Sequence, residues 1–373
     1  MLTLLLSLAQ TVPAFADADS QAVQPSPSPP QVIASHEVEF RGWLEAGAVG
    51  NALPKPFILQ DNALQGFKLN QLYLVVEKKI QTGGGFDWGF RVDNLLGEDW
   101  QIYHMGGFPV GRLGGQEIGW DPAQYYLEIH SPLSVDAGLD VQIGRFFALT
   151  GFQREAPYRP LYTTGYLYNY AQFFTYIGVM TRVDLTSGWK IHTGLVHSPD
   201  QWVGGGFEPN YAGAISWGSH DEKTEFSLAW HYGRQAGTSG SGAQIKVLNA
   251  VYIDEIAKNW SVVLEANVGS APALAAKPSP SYGDWWGAAA WLTYDFSQTC
   301  KSLFRYEFFN DQNGSRTGIT GAYSGTTLGI NYRPWHWLLF RPEIRFDWAQ
   351  GSPPVNRGET TRLLFSADTL VEF

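Results

Sequence analysis

The feature that most limits how this chain can fold is an alternation of apolar and polar side chains at every second residue, repeated in short runs from Phe40 to the last residue. A two-residue period sends successive side chains to opposite faces of an extended strand. In Thr224–Tyr232, Thr224, Phe226, Leu228, Trp230 and Tyr232 share one face, while Glu225, Ser227, Ala229 and His231 share the other. The pattern recurs at Phe86–Asp93, where Phe86, Trp88, Phe90 and Val92 oppose Asp87, Gly89, Arg91 and Asp93. It returns at Leu338–Trp348, where Leu338, Phe340, Ile344, Phe346 and Trp348 oppose Arg341, Glu343, Arg345 and Asp347. About 16 such runs, give or take two, can be traced. They start near Arg41, Gly66, Phe86, Ala123, Leu139, Gln172, Trp189, Tyr211, Lys223, Gln244, Trp260, Trp285, Ser302, Thr326, Trp337 and Thr361. No stretch holds the roughly 18 to 20 consecutive apolar residues of a spanning helix, which excludes a helical membrane protein.

The connections carry a second rhythm. Short ones at 81–85, 132–137, 186–188, 218–222, 254–259, 297–301 and 334–336 alternate with longer ones at 50–65, 95–122, 148–171, 199–210, 234–243, 270–283, 310–325 and 350–359. Membrane barrels have tight periplasmic turns and longer external loops, so strict alternation follows when both termini sit on the periplasmic rim and the strand number is even. The expected fold is therefore an all-β, closed antiparallel transmembrane β-barrel of about 16 strands. Closure is required because hydrocarbon cannot hydrogen-bond a free strand edge, at a cost of several kcal/mol per orphan group. The last run must then pair with the first. It puts Leu363, Phe365, Ala367, Val371 and Phe373 on one face, and its terminal Phe resembles the signal read by the barrel assembly machinery.

Composition agrees. Charged residues make up 16% of the chain, against roughly 25% in soluble domains. Aromatics reach 15%, with 15 Trp, 18 Tyr and 22 Phe. Many stand near the ends of runs: Trp43, Trp88, Tyr125, Tyr126, Trp189, Trp217 and Trp230, then Trp260, Trp285, Trp286, Trp335, Trp337 and Trp348. Two girdles at the headgroup levels are the expectation, with aromatic packing in a soluble β core as the alternative. The net charge of −10 argues against a nucleic-acid partner. A single cysteine, Cys300, permits no internal disulfide and no structural zinc site. The His and carboxylate spacings show no metal motif, nucleophile elbow or phosphate loop, so neither cofactor, metal nor catalysis is expected. Ser227 and His231 share a face at strand spacing, but without an orienting third partner.

At the start, Leu2–Leu8 supplies a short apolar core and Ala14-Phe15-Ala16 a small-x-small cleavage site, so residues 1–16 read as an export signal. Residues 17–39 are polar and Pro-rich, reading as an extended periplasmic linker, with the barrel at 40–373.

Several segments carry a family likeness. They are Gly144-Arg145-Phe146-Phe147 followed by Gly151-Phe152, then Tyr166-Leu167-Tyr168-Asn169-Tyr170-Ala171-Gln172-Phe173-Phe174 leading to Gly178-Val179. Arg91–Asp99, Leu328–Pro334 and Arg341–Asp347 add to it. On these residues the chain resembles the β-barrel porin-2 family, the OmpL-like porins, over most of its length after Phe40. It departs in having Gln153 where a Glu often follows the Gly-aromatic pair, and His197–Trp202 in place of a Gly-Trp-Asp turn. The resemblance implies a pore of unassigned substrate in the outer membrane of a Gram-negative-type bacterium.

If apolar faces meet lipid, the opposite faces line a lumen. Charge on the lipid face would cost roughly 2–4 kcal/mol per basic residue at midplane. Expected pore-lining residues are Asp87, Arg91, Asp93, Glu128, Arg182 and Lys190 in the first half, then Glu225, His231, Glu265, Arg305 and Glu307. Arg341, Glu343, Arg345, Asp347, Arg362 and Asp368 complete the set. Both signs are present, which suits neutral or weakly selective passage; the 341–347 ladder reads equally as one wall of a transverse field or as a stiffening salt-bridge network. The long connection 148–171, with Arg154, Glu155, Tyr158, Arg159 and Tyr162, is the candidate constriction if it folds inward. The predicted function is passive diffusion of small polar solutes or ions; the alternative is a structural or adhesive barrel with an occluded lumen. Expected partners are outer-membrane lipid, the assembly machinery and small solutes, and an oligomer is left open.

Overall fold

The computed structural model describes residues 38–51, 66–81, 85–109, 113, 117–134, 137–153, 155–236, 244–272, 282–351 and 360–373. The segment expected to be an export signal, most of the expected linker, and Arg154 lie outside the described residues.

Sixteen antiparallel strands close into one barrel. They are β1 (Glu39–Asn51), β2 (Gly66–Lys78), β3 (Asp87–Gly97), β4 (Gly119–Ser134), β5 (Ala137–Phe147), β6 (Thr175–Asp184), β7 (Trp189–Val196) and β8 (Asn210–Gly218). The second half is β9 (Thr224–Arg234), β10 (Gln244–Ala257), β11 (Trp260–Pro272), β12 (Tyr282–Ser297), β13 (Cys300–Asp311), β14 (Gly321–Trp335), β15 (Leu338–Gly351) and β16 (Thr361–Glu372). Each strand pairs with its sequence neighbours, and β1 closes on β16 with Trp43 opposite Glu372 and Gly47 opposite Asp368. Phe373 seals the seam: its amide donates to the Gly42 carbonyl at 2.9 Å and its carbonyl accepts from the Gly42 amide at 2.8 Å.

The alternation located most strand starts within a residue or two. It ran late at β4, β12 and β14, which begin at Gly119, Tyr282 and Gly321, and early at β6, which begins at Thr175. Those added residues continue the ladder towards the long-loop rim, where no lipid imposes an apolar face and the two-residue signal fades. Tight turns hold the opposite rim, as at 258–259, where Asn259 takes the left-handed conformation with φ 67°.

Large apolar side chains point outward, with Phe67 80%, Phe86 71% and Phe365 52% exposed. Contiguous apolar exposure on this scale fits acyl chains and would be a liability in water. No helix among the described residues is long and apolar enough to cross a membrane; the chain crosses with strands.

Two expectations need correction. Trp43, Tyr126 and Trp285 are not girdle residues: all three stand on the inner face, Trp43 stacked on Tyr73 at 4.2 Å, Tyr126 opposite Arg91 and packed against the interior cluster, and Trp285 bonded through its indole N–H to Asn267 at 2.9 Å. Nor is the inner face uniformly hydrophilic. In β10 the inward row is Ile245, Val247, Asn249, Val251 and Ile253, nearly all apolar, while Gln244 and Lys246 point outward. The reason is that this wall has a protein partner inside the barrel.

Candidate permeation site

That partner is the segment between β5 and β6, residues 148–174. It bonds to strands on the far side of the barrel: β13 stands eight places from β5 in a ring of sixteen, so the contact runs through the interior. A chain crossing a lumen carries backbone groups that no sheet can satisfy, and every buried one needs a partner. The wall supplies them. Tyr162 and Thr163 each donate a backbone N–H to the Glu343 carboxylate at 3.0 Å. Arg305 donates to the Thr163 carbonyl at 2.8 Å, Arg345 to the Thr164 carbonyl, and the Tyr166 amide donates to Glu307 at 2.5 Å. Gly165, between them, donates to Gln153 at 2.9 Å, which gives a use to the amide standing where the family often has an acid.

Earlier in the segment, the Gly151 amide donates to Asn249 of β10 at 3.0 Å. Arg159 meets Glu45 of β1 at 2.7 Å, and the Tyr162 hydroxyl donates to Asn70 of β2 at 3.1 Å. Arg341 donates to the carbonyls of Ala156 and Arg159 at 2.8 and 2.7 Å while pairing with Asp368 and Glu45. Two wall glycines make room for this approach. A Cβ at Gly47 would stand 2.5 Å from the Tyr162 ring, and one at Gly329 would stand 2.5 Å from Leu161.

Apolar burial adds to the polar grip. Phe152 meets the Trp291 ring edge-on at 4.9 Å, Tyr170 stacks near Phe309 at 6.0 Å, and Leu167 and Phe173 join the same cluster with Val247 and Val251. This is why part of the inward face is oily: it is a packing surface for the segment.

The ladder of β15 therefore has a definite role. Arg345 pairs with Asp347 at 2.8 Å, Arg362 with Asp347 at 2.8 Å, and Arg341 with Asp368 at 2.5 Å, all nearly inaccessible. Of the two readings held open, the stiffening network fits; it also holds the crossing segment. Breaking one such buried pair costs on the order of 3–5 kcal/mol, because the surviving charge is left without compensation.

External segments close over the same region. The short helix α1 (Trp100–Tyr103) presents Tyr103, whose hydroxyl lies 3.0 Å from that of Tyr168. Arg145 anchors it, donating to the Tyr103 carbonyl at 2.5 Å and to Asp121 at 2.6 Å. In the 197–209 loop, Asp200 accepts the amides of Phe174 and Thr175 at 3.1 and 2.8 Å. Burial pushes its carboxyl up to about 6, against the lowering effect of those two amides. In the 312–320 loop, Arg316 donates to the Tyr170 carbonyl at 2.5 Å and lies 4.8 Å over the Trp285 ring; burial lowers its guanidinium to about 10.

Of the expected pore-lining residues, all stand on inward rows. Their surroundings differ. Arg305, Glu307, Arg341, Glu343, Arg345, Asp347, Arg362 and Asp368 are buried in the network just described, and Glu265 holds Asn249 at 2.9 Å. Arg91 pairs with Asp93 at 2.8 Å, and Asp87 meets Lys78 at 3.2 Å near the short-turn rim. Glu128, Arg182 and Lys190, on β4, β6 and β7, keep partial exposure, and Glu225 on β9 is nearly covered. Of the expected constriction residues, Glu155, Arg159 and Tyr162 are buried at the crossing, Tyr158 lies edge-on to Trp43 at 6.5 Å, and Arg154 falls outside the described residues. His231 is bonded to the Tyr176 hydroxyl at 3.2 Å and to Asn210 at 3.1 Å, so it is not poised on Ser227. Glu45, Asn249 and Asp121 are not among the residues expected to line the pore, and Arg145 enters only through the segment that carries the family likeness. Glu45 lay within reach of the alternation, between outward Leu44 and Ala46; Asn249 sat in a row whose two faces are both largely apolar, which hides it.

Residues 37–373 match the family described as "Putative beta-barrel porin-2, OmpL-like". Similar solved structures include the anion-selective porin from Comamonas acidovorans, with TM-score 0.64, 11% identity, and 90% of this chain and 99% of that one covered. The outer membrane channel DcaP of Acinetobacter baumannii gives TM-score 0.62 at 9% identity, covering 91% and 99%. Pseudomonas putida OprB gives 0.58 at 13%, covering 90% and 94%. At such identities the likeness shows the shared barrel fold. No curated protein matches the chain by sequence.

Proposed function

Because the chain belongs to the OmpL-like β-barrel porin-2 family, and is thus a porin of the Gram-negative outer membrane, we propose that small hydrophilic solutes or ions diffuse through it past a constriction formed by residues 148–174. The observation that carries this reading is the crossing of that segment to the far wall, where Glu343, Glu307 and Arg345 hold its backbone. It narrows the lumen to the side that it leaves uncovered, where Glu128, Arg182 and Lys190 stay partly exposed. Mixed signs there suit weak selectivity. Outward Phe and Leu rows suit acyl chains, and the terminal Phe373 strand suits recognition by the assembly machinery. Purified protein reconstituted in planar bilayers is expected to give discrete conductance steps; folded protein that passes no current would sink the proposal.

One observation favours the second reading, an occluded structural barrel: the dry cluster around Phe152, Tyr166, Leu167 and Tyr170. Deleting the crossing segment separates the two. Conductance rises strongly if the segment constricts a pore, and stays flat if the barrel is blocked elsewhere.

A further inference from the structure

The side of the lumen that the crossing segment leaves uncovered is not open at both ends. Along β4–β7, Glu128, Gln142, Arg182 and Lys190 keep partial exposure. Towards the long-loop rim of the same wall, exposure falls to 4% at Gln124 and 0% at Asp121 and Arg145. Two external segments meet over this end: 104–108, which follows α1, and 197–202, which follows β7. β4 and β7 stand three places apart in the ring, so their contact spans the external ends of the wall. Met105 is fully buried beneath it.

The join is short. The Gly106 amide donates to the Asp200 carbonyl at 2.8 Å, and the Trp202 amide donates to the Gly106 carbonyl at 2.9 Å, as a single parallel bridge. Phe108 meets the Trp202 ring edge-on at 4.8 Å, and the Arg145 guanidinium lies 5.9 Å from the Phe108 ring. Each half is anchored to the barrel separately, the first by Arg145 on the Tyr103 carbonyl, the second by Asp200 on the amides of Phe174 and Thr175. Glycines flank the join: Gly107 with φ 81° on one side, and Gly204, Gly205 and Gly206, the last with φ 109°, on the other. Glycine changes backbone conformation at little steric cost, and a contact of a few bonds at the solvent edge opens at low free energy. The clamp on β15, made of buried ion pairs, is built in the opposite way.

We infer that this join is a gate at the external mouth: closed, it shuts the passage along β4–β7, and solutes enter when segments 104–108 and 197–202 part. The inference rests on the porin reading and adds to it a movable barrier above the fixed constriction. Permeation is then limited by how often the join opens, and the current should switch between a shut and a conducting level while the clamp stays intact.

A cysteine pair tests this. A Cβ at Gly106 would stand 2.6 Å from the Gln201 side-chain nitrogen, so Gly106→Cys/Gln201→Cys brings two thiols within reach of a disulfide. Cys300→Ser in the same chain removes the competing thiol. In planar bilayers the oxidised pair should lose the current that the reduced pair carries, and a reductant added to the same membrane should restore it. Phe108→Ala/Trp202→Ala, which removes the ring contact alone, should lengthen the conducting intervals. A pair that does not oxidise, oxidised channels that conduct like reduced ones, or unchanged intervals in the double alanine variant would each overturn the gate while leaving the porin reading in place. If wild type, reduced pair and alanine variant all pass no current, the porin reading fails and takes the gate with it. Heat-modifiable migration on gels verifies that each variant is folded, and recovery of current on reduction excludes misfolding as the cause of its loss.

Discussion

The two walls of this barrel are built from the same residue types and differ in how far the crossing segment covers them. On β13–β16 and β1, Arg, Glu and Asp are sealed under a crossing segment, each charge spent on another charge or on a backbone group. On β4–β7, Glu128, Arg182 and Lys190 keep partial exposure, while Asp140, His130 and His192 are nearly covered by their neighbours. A charged inward side chain is thus not by itself a pore-lining one. What decides is whether protein or water stands opposite, since burial turns a wall charge from a filter element into a fastening.

This comparison can be broken, and the largest effect should come from the clamp. Arg341→Ala removes the common partner of Asp368, Glu45 and two segment carbonyls. A stability loss of about 3–5 kcal/mol is expected, read as a lowered unfolding midpoint in detergent, together with noisy, enlarged conductance; a normal midpoint would remove the clamp from the account. Gly47→Val should come next. Its added carbons must displace the Tyr162 ring, already 2.5 Å from an ideal Cβ, at a cost of about 1–3 kcal/mol, and single-channel conductance should shift with it. Glu343→Gln keeps the size but replaces a charged acceptor of two amides with a neutral one. A loss of about 1–2 kcal/mol is expected, with more frequent current transitions as the segment loosens.

On the open wall the expectation reverses: Gln142→Ala should leave the unfolding midpoint within about 0.5 kcal/mol of wild type while changing permeation. A substantial destabilisation there would erase the distinction between the walls. The smallest effect concerns Asp200, above the β6 end of that wall. Its folded-state value near 6 exceeds the ordinary 3.8, so the folded protein holds this proton more tightly than the unfolded chain does. The contribution is full below the ordinary value and is lost as pH rises through about 6. Thermal midpoints should therefore fall modestly between pH 4 and pH 8, and Asp200→Asn should flatten that slope.

Alternation alone determined the barrel, its even strand number, the rim on which the tight turns lie and which residues point inward. A bilayer imposes one repeating condition along every strand, and a repeating condition leaves a periodic trace. The girdle reading failed at Trp43 and Trp285 because a Trp near a strand end satisfies the headgroup zone or an interior partner equally well, and only Tyr73 and Asn267 show which. Likewise the inward row of Ile245, Val247 and Val251 is as apolar as a lipid-facing row, and only the segment packed against it inside the barrel shows which side it faces. Which wall is fastened and which is open was settled by contacts between residues more than a hundred positions apart, such as Arg341 with Glu45 and Tyr162 with Glu343. Those pairings arise from where the closed barrel places its strands, and no local pattern in the chain encodes them.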